Sequence, residues 1–187
     1  YSYTHIAGFL QPVYLNDKTS FFPENNQIYI VVVLELPGDK EKIALVNIPV
    51  PQLDRFVKIS QPDGEYIIFL EDLIRCNLGI LFPDALDIKA FNVKVTRDAE
   101  LDLLDEDGED MAEQVEKQLS KRDFGLATRF LYEPGLSLRH LQYIVNVFDL
   151  KKASLVEGGR YHNLKDLSSL PVASPAISYP AWPAAEQ

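Results

Sequence analysis

Three histidines are the first residues to weigh for chemistry, because an imidazole can accept a phosphoryl group, move a proton or bind a metal ion. His5, His140 and His162 are scattered along the 187 residues, and no two of them have the spacing of a helical zinc pair. A phosphoryl-accepting histidine also needs an orienting partner for one ring nitrogen and cations for the phosphoryl oxygens. One sequence cannot show either, so a nucleophilic role stays open in principle, a zinc site is not expected, and packing or hydrogen bonding is favoured for His140 and His162.

Two arginines are the candidates for phosphate binding. Arg97 ends an amphipathic strand, at a point where side chains leave the core, and its guanidinium could bind a phosphate through paired N–H groups. It could equally pair with Asp98 or another carboxylate and hold the turn from strand to loop. Arg55, next to Phe56, has the same two alternatives.

The common backbone sites for nucleotide phosphates are absent from the sequence, which has neither a Gly-x-x-x-x-Gly-Lys-Ser/Thr loop nor a Gly-x-Gly-x-x-Gly turn. The acidic run from Asp102 to Asp110 is not an EF-hand. If Gly108 takes the sixth loop position, the first and twelfth positions are Leu103 and Gln114, which cannot supply the required carboxylates. The run is expected to be a solvated loop that places negative charge at the start of a helix.

Composition and charge narrow the class of protein further. A formal net charge of -10 argues against a nucleic-acid partner, and any polyanion could bind only through a local basic patch. The apolar run Ile28 to Leu34 is too short to span a membrane, and no leader pattern opens the sequence. The lone Cys76 excludes an internal disulfide, fits a reducing compartment and is expected to be a small core residue.

Hydrophobic periodicity predicts strands mixed with helices. Two hairpins are expected, at 29–50 and 56–70, followed by a strand at 91–96 whose polar residues Asn92, Lys94 and Thr96 give the sheet a solvated side. The other predicted elements are helices at 70–81, 109–121, 138–148 (with Ser137 as N-cap) and 164–170, and strands at 127–132 and 153–156. This order predicts an α+β fold with a largely antiparallel or mixed sheet and helices packed on it in two layers.

Five short motifs resemble the middle domain of the bacterial long-chain polyphosphate kinases, both in their residues and in their order along the chain. They are LDRFV at 53–57, LEDLI at 70–74, LFP at 81–83, FNVKVTRDAEL at 91–101 and KRDFG at 121–125. The resemblance implies a middle, or head, domain at 1–170. The stretch from Pro171 to Pro183 contains four prolines and predicts an extended linker at 171–187. The resemblance implies that this linker would lead to C-terminal catalytic domains, which are absent from this chain.

The resemblance also implies a chemistry. Members of this family transfer the γ-phosphoryl group of ATP reversibly to polyphosphate through a phosphohistidine, with magnesium, and the nucleophile lies in C-terminal motifs that have no counterpart here. The implied partners are the N-terminal and C-terminal domains of the same chain, a second copy in a homodimer, and polyphosphate bound by the intact enzyme. ATP and magnesium are expected in that enzyme and not on this segment alone. The implied location is cytoplasmic, with a peripheral position at the inner membrane left open.

The resulting prediction is a non-catalytic domain that positions its neighbours and contributes to dimerisation. The alternative is an autonomous interaction module that binds a protein partner through an exposed sheet edge or through the proline-rich tail. The third and least favoured hypothesis is that the chain is itself a small enzyme that works through a phosphohistidine. The first two separate by experiment, because an interaction module should bind its partner without any flanking domain.

Overall fold

The computed structural model describes residues 6–16, 21–38, 40–50, 52–97 and 127–172. Its elements within these ranges are the strands β1 Val13–Leu15, β2 Ile28–Leu36, β3 Lys40–Asn47, β4 Phe56–Gln61, β5 Gly64–Phe69, β6 Asp87–Arg97, β7 Ala127–Tyr132 and β8 Ser154–Glu157, the helices α1 Leu70–Cys76, α2 Leu78–Leu81 and α3 Leu138–Val147, and the 3-10 helix Leu164–Ser169. The predicted helix at 109–121 lies outside the described residues. So does the tail from 173, and the domain boundary at 170 stays a prediction.

In the described part of the chain, six strands form one sheet in the order β1-β3-β2-β6-β7-β8, and β4 and β5 form a separate hairpin. Every pair in the large sheet is antiparallel except β7 and β8, which run parallel. Both predicted hairpins are present as β2-β3 and β4-β5. The α+β class with a largely antiparallel, mixed sheet is therefore confirmed.

The large sheet is covered on both faces. Strand β2 is apolar along most of its length, so alternate side chains point to opposite sides and both sides need burial. Val31 and Val33 pack against Ile144 of α3, on what we call the α3 face. Ile30, Val32 and Leu34 belong to the other face, the α1 face, which α1, α2 and the β4-β5 hairpin cover. The expectation of two layers is corrected to a sheet between two covering layers.

Strand β6 shows why the predicted solvated side is wrong. Its residues Val93 and Val95 belong to the core of the α3 face, as the alternating pattern predicted. On the α1 face, however, Asn92 is fully buried and Lys94 is partly buried. The segment 158–169 crosses this part of the sheet, and the Asn92 side-chain amide donates to the carbonyl of Arg160 at 2.6 Å. A polar side chain can be buried there because it has a hydrogen-bond partner.

The predicted helix at 70–81 is split in two. Asn77 takes a non-helical conformation (φ -110°, ψ 6°) between α1 and α2, and its side-chain amide donates to the Leu73 carbonyl at 2.7 Å. This competition of an asparagine side chain with the helix ladder is a common cause of helix termination. Cys76 is exposed, which corrects the expectation of a core residue.

The cap of α3 is confirmed, since the Ser137 hydroxyl accepts from the His140 backbone N–H at 3.3 Å. The strands predicted at 127–132 and 153–156 correspond to β7 and β8. The helix predicted at 164–170 is the 3-10 helix. Among the described residues, no helix is long and apolar enough to cross a bilayer.

The cover of the α1 face can be tested with one substitution at two sites. Ile74→Ala on α1 removes a side chain that is 1% exposed, whereas Ile80→Ala on α2 removes one that is 60% exposed. We expect Ile74→Ala to lower the free energy of unfolding by about 2–5 kcal/mol. We expect Ile80→Ala to lower it by less than about 0.5 kcal/mol. Urea unfolding measures both, and equal losses would contradict the packing described.

Candidate functional site

The polar side chains of the α1 face converge where the segment 158–169 docks on the sheet. We call this group the polar clamp. Its members come from the chain before β4, from α1, from β6, from the end of β7 and from the docking segment, and they are Arg55, Glu71, Asp72, Arg75, Asn92, Lys94, Glu133, Arg160, Tyr161, Asn163 and Asp166.

Arg55 is the most buried cation of the clamp, at 4% exposure. Its Nη2 donates to Glu71 Oε1 at 2.6 Å, and its Nη1 donates to Asp166 Oδ2 at 2.7 Å and to the Asn163 carbonyl at 3.1 Å. Burial alone would lower the pKa of Arg55, but the hydrogen bonds and negative charges of Glu71 and Asp166 outweigh it and raise the pKa above its ordinary value. The guanidinium therefore remains charged and links α1 to the 3-10 helix.

The hydrogen-bond partners of Arg55 bear on its predicted role in phosphate binding. Its three nitrogens donate to two carboxylates and one carbonyl, and Glu71 is fully buried. A phosphate at this position would have to displace either the fully buried Glu71 carboxylate or the Asp166 carboxylate, whose side chain is 22% exposed. The prediction for Arg55 stays a prediction, and its geometry in this structure is that of the carboxylate-pairing alternative.

Arg75 forms the second junction of the clamp. Its Nη2 donates to Glu133 and, at 3.1 Å, to Asn92 Oδ1, while its Nη1 donates to the Ala90 carbonyl at 3.0 Å. Glu133 also accepts from the backbone N–H of Asn92 at 2.8 Å. Arg75 and Glu133 are both only 13% exposed along their side chains. Charge-assisted hydrogen bonds thus tie α1 to β6 and to the end of β7.

Four further contacts hold the docking segment itself. Asp72 accepts from Arg160 Nη2 and from the Tyr161 hydroxyl, each at 2.6 Å, and the hydrogen bond to Asp72 raises the Tyr161 pKa. The Tyr161 ring stacks on Phe69, with the ring centroids 4.1 Å apart. On the strand side, Lys94 Nζ donates to Asn163 Oδ1 at 2.8 Å.

His162 lies inside the clamp and is 2% exposed. Its Nε2 is 3.0 Å from the Gly159 carbonyl, which can only accept, so this nitrogen carries the proton. The Nδ1 is buried without a hydrogen-bond partner. Burial, together with the nearby charges of Lys94, Arg55 and Arg75, lowers the His162 pKa to about 4. The ring is therefore neutral near pH 7 and is closed off from solvent.

The other histidine in the described ranges lies on the far side of the sheet. His140, near the start of α3, places Nε2 3.0 Å from Glu41 Oε1, and Arg139 pairs with the same carboxylate. Burial alone would raise the Glu41 pKa, but the hydrogen bonds and charges of His140 and Arg139 together outweigh it and lower this pKa. The groove beside it is lined by Val33, Glu35, Lys40, Glu41, Asp87, Lys89 and Arg139. Its acidic and basic residues are equal in number, so the groove has no charge preference for an anion. His5 lies outside the described residues.

Arg97 is also buried, at 5% exposure, but it lies apart from the clamp. Its Nε donates to the Pro23 carbonyl at 3.1 Å, and its guanidinium carbon is 3.4 Å from the centre of the Phe22 ring. Its backbone N–H donates to Asn25 Oδ1 at 2.9 Å. Burial lowers its pKa. These contacts fix the end of β6 to the segment before β2, Asp98 lies outside the described residues, and the phosphate role of Arg97 stays a prediction.

The structure thus does not bring the two predicted arginines together. What the sequence analysis missed is the clamp around Arg55, whose carboxylate partners are 16 and 111 residues away. The only local signal was the motif pair LDRFV and LEDLI, which contributes Arg55 and Glu71. Within the described ranges, no three His, Cys, Asp or Glu side chains are close enough to hold a metal ion.

Removing one carboxylate from Arg55 tests how strongly the clamp stabilises the fold. Glu71→Gln should lower the free energy of unfolding by about 3 kcal/mol, because a buried guanidinium loses a charged partner. Glu65→Gln is the matched control, since Glu65 pairs with Lys58 at 2.7 Å with both side chains largely exposed. Its loss should be below about 1 kcal/mol. Urea unfolding distinguishes the two, and a similar loss in both variants would contradict a structural role for the Arg55 pair.

His162 should make the fold less stable in mild acid. The unfolded chain protonates this ring near its ordinary pKa of 6.5, whereas the folded chain does so only near pH 4. Between these values the unfolded state binds more protons, so stability falls as the pH falls. The contribution of His162 between pH 7 and pH 5 should be about 2 kcal/mol. Urea unfolding at both pH values measures it, and His162→Gln should show a smaller pH dependence than the unaltered chain. An unchanged dependence would refute the assignment.

Comparison with known proteins identifies the family of this chain. The family described as the polyphosphate kinase middle domain matches residues 1–170. The polyphosphate kinase of Vibrio cholerae is 35% identical over 181 residues, covering 91% of this chain and 26% of the relative, and that of Escherichia coli K12 is 28% identical over 177 residues, covering 89% and 25%.

A solved structure agrees with the sequence relatives. The crystal structure of polyphosphate kinase from Porphyromonas gingivalis superposes with a TM-score of 0.72 at 28% identity, covering 95% of this chain and 26% of that chain. The chain spans about a quarter of the length of the relatives it matches. The resemblance noted in the short motifs is thereby confirmed, and the chain belongs to the polyphosphate kinase middle-domain family.

Proposed function

We propose that this chain is a supporting domain of an ATP:polyphosphate phosphotransferase. In this proposal the intact enzyme moves the γ-phosphoryl group of ATP reversibly to polyphosphate through a phosphohistidine, and the histidine lies outside this segment. The observation that carries the proposal is the family match over residues 1–170, together with relatives named polyphosphate kinase of which this chain spans about a quarter.

A non-catalytic role is supported by the surroundings of the described histidines. His162 is closed to solvent and donates from Nε2 to a carbonyl, so an incoming phosphoryl group could reach neither nitrogen without local opening. His140 is held by Glu41 beside a groove with as many acidic as basic side chains. The described residues also offer magnesium no cluster of carboxylates. We therefore assign ATP and magnesium to the intact enzyme.

A positioning role is supported by the polar clamp. Phosphoryl transfer depends mainly on alignment and charge stabilisation, so a domain can affect its rate by fixing the geometry of the rest of the enzyme. The family match ends at residue 170, directly after the 3-10 helix that Arg55 and Asp166 hold against α1. The clamp would give the chain that follows in the relatives a fixed direction. A contribution to a homodimer and a cytoplasmic location belong to the same proposal.

A second candidate from another class is the interaction module. Strand β8 is one edge of the large sheet, and all four of its residues are exposed, including Leu155 at 46% and Val156 at 36%. An edge of this kind can pair with a strand from a partner. The two candidates differ in one respect: a module binds its partner alone, whereas a supporting domain acts only with the rest of its enzyme.

The test is incorporation of labelled γ-phosphate from ATP into acid-insoluble polymer. We expect no incorporation by this chain alone and clear incorporation by the longer gene product that contains it, because the nucleophile is assigned to the rest of the enzyme. Adding the separate chain to a longer product that lacks residues 1–170 should restore part of the activity. Incorporation by neither the chain nor the longer product would reject the proposed reaction and favour the interaction module.

A further inference from the structure

Three basic side chains meet at one end of the α1 face, and we call them the basic patch: Lys94, Arg129 and Lys165. In the pairing of β6 with β7, Lys94 lies opposite Leu131, and Arg129 lies opposite Thr96. Lys94 and Arg129 are therefore diagonal neighbours on the same face of adjacent strands, within reach of one another's long side chains. Lys165, on the 3-10 helix, is close enough for its charge to act on Lys94. The two are brought together because Lys94 Nζ donates a hydrogen bond to Asn163, two residues before Lys165.

The positive charge of the basic patch is not neutralised within the described residues. Arg129 and Lys165 are exposed, and in that part of the chain neither forms an ion pair or a side-chain hydrogen bond. The carboxylate of Asp166, whose charge acts on Lys94, accepts from Arg55 Nη1 at 2.7 Å. Burial and the charges of Lys165 and Arg129 lower the pKa of Lys94, while Asp166 opposes this effect. Lys94 is thus repelled by both Lys165 and Arg129, and an anion bound among them would relieve this repulsion.

This cluster is unexpected in a chain whose formal net charge is -10. A polyanion could bind such a chain only through a local group of cations that outweighs the overall field. The basic patch is such a group: its cations come from two strands and a 3-10 helix, and two of them point into solvent. Its members come from three separate elements, which suits a linear polymer that can contact several cations at once.

We propose that the basic patch binds a segment of polyphosphate through charge-assisted hydrogen bonds from Lys94, Arg129 and Lys165 to successive phosphate groups. The identity of the ligand rests on the proposed function. The geometry of the patch does not, because it depends only on the β6-β7 register and on the contact between Lys94 and Asn163. A polymer held there would displace counterions from both partners, so salt must weaken the binding.

The test is direct binding of medium-length polyphosphate to this chain, by calorimetry over a series of salt concentrations. We expect saturable binding at about 10 mM salt, where charges act over about 30 Å, and loss of most of it near physiological salt. With three phosphates neutralised, log K should fall against log[salt] with a slope of about -2, by analogy with single-stranded nucleic acids.

Two double variants remove equal charge from different places. Arg129→Gln with Lys165→Gln should weaken binding about tenfold or more at low salt and bring the slope to about -0.7. Lys40→Gln with Lys42→Gln is the matched control, because both residues are exposed and lie at the opposite end of the sheet. This control should bind like the unaltered chain. Thermal unfolding of each variant shows that the fold is intact.

Several results would overturn the proposal. These are no binding by the unaltered chain at low salt, equal weakening in the two double variants, or equal affinity for a sulfated polysaccharide of the same charge density. Competition by inorganic phosphate at the same phosphate concentration would also overturn it, because a linear polymer must gain from multiple contacts. None of these results depends on phosphotransfer, so failure here is distinguishable from failure of the proposed enzyme activity.

Discussion

The burial of one guanidinium constrains the rest of this domain. Arg55 lies in the interior, where an unpaired charge would cost several kcal/mol, and its two carboxylate partners come from α1 and from the 3-10 helix. All three parts of the chain must therefore be in place at once. A packing that left the 3-10 helix undocked would expose the clamp to water and leave Arg55 with one carboxylate. The ion pairs thus specify the position of a segment that offers little apolar surface of its own.

The shape of the sheet follows from a simpler constraint. Strand β2 is apolar on both sides, so it can be stable only between two layers. One layer is the amphipathic helix α3, and the other is assembled from short elements, namely α1, α2 and the β4-β5 hairpin. Those short elements do not extend over the end of the α1 face. The docking segment completes that cover with hydrogen bonds, which is why Asn92 can be fully buried in the sheet.

The formal net charge of the chain does not show where its cations lie or which of them are paired. The interior cations Arg55 and Arg75 are matched by buried or partly buried carboxylates, so they contribute rigidity and no outward field. Arg129 and Lys165, by contrast, are exposed and form no ion pair with a described carboxylate. A domain can thus be acidic as a whole and still present a local surface to an anion. The proposed supporting role and the proposed polymer contact use different groups of residues on the same face.

Local pattern was enough for most elements. Alternation in β6, the run of β-branched residues in β2 and the Ser137 cap of α3 are properties of neighbouring residues, and they predicted the strands, the hairpins and the α+β class. The short motifs were enough to indicate the family, because their residues and their order are read directly from the chain. The break at Asn77 was missed, since a helical stripe continues across it and only the side-chain bond to Leu73 reveals the end of α1.

The candidate sites depended on contacts that span the chain. Arg55 pairs with Asp166, which lies 111 residues away, and the buried side chain of Asn92 donates to Arg160, 68 residues away. The basic patch likewise exists only because β6, β7 and the 3-10 helix meet. The sequence by itself determined which strand residues alternate between apolar and polar, which residue caps α3 and to which family the chain belongs. Only the tertiary structure decided which charges are paired, because pairing depends on distances across the fold that no local pattern encodes.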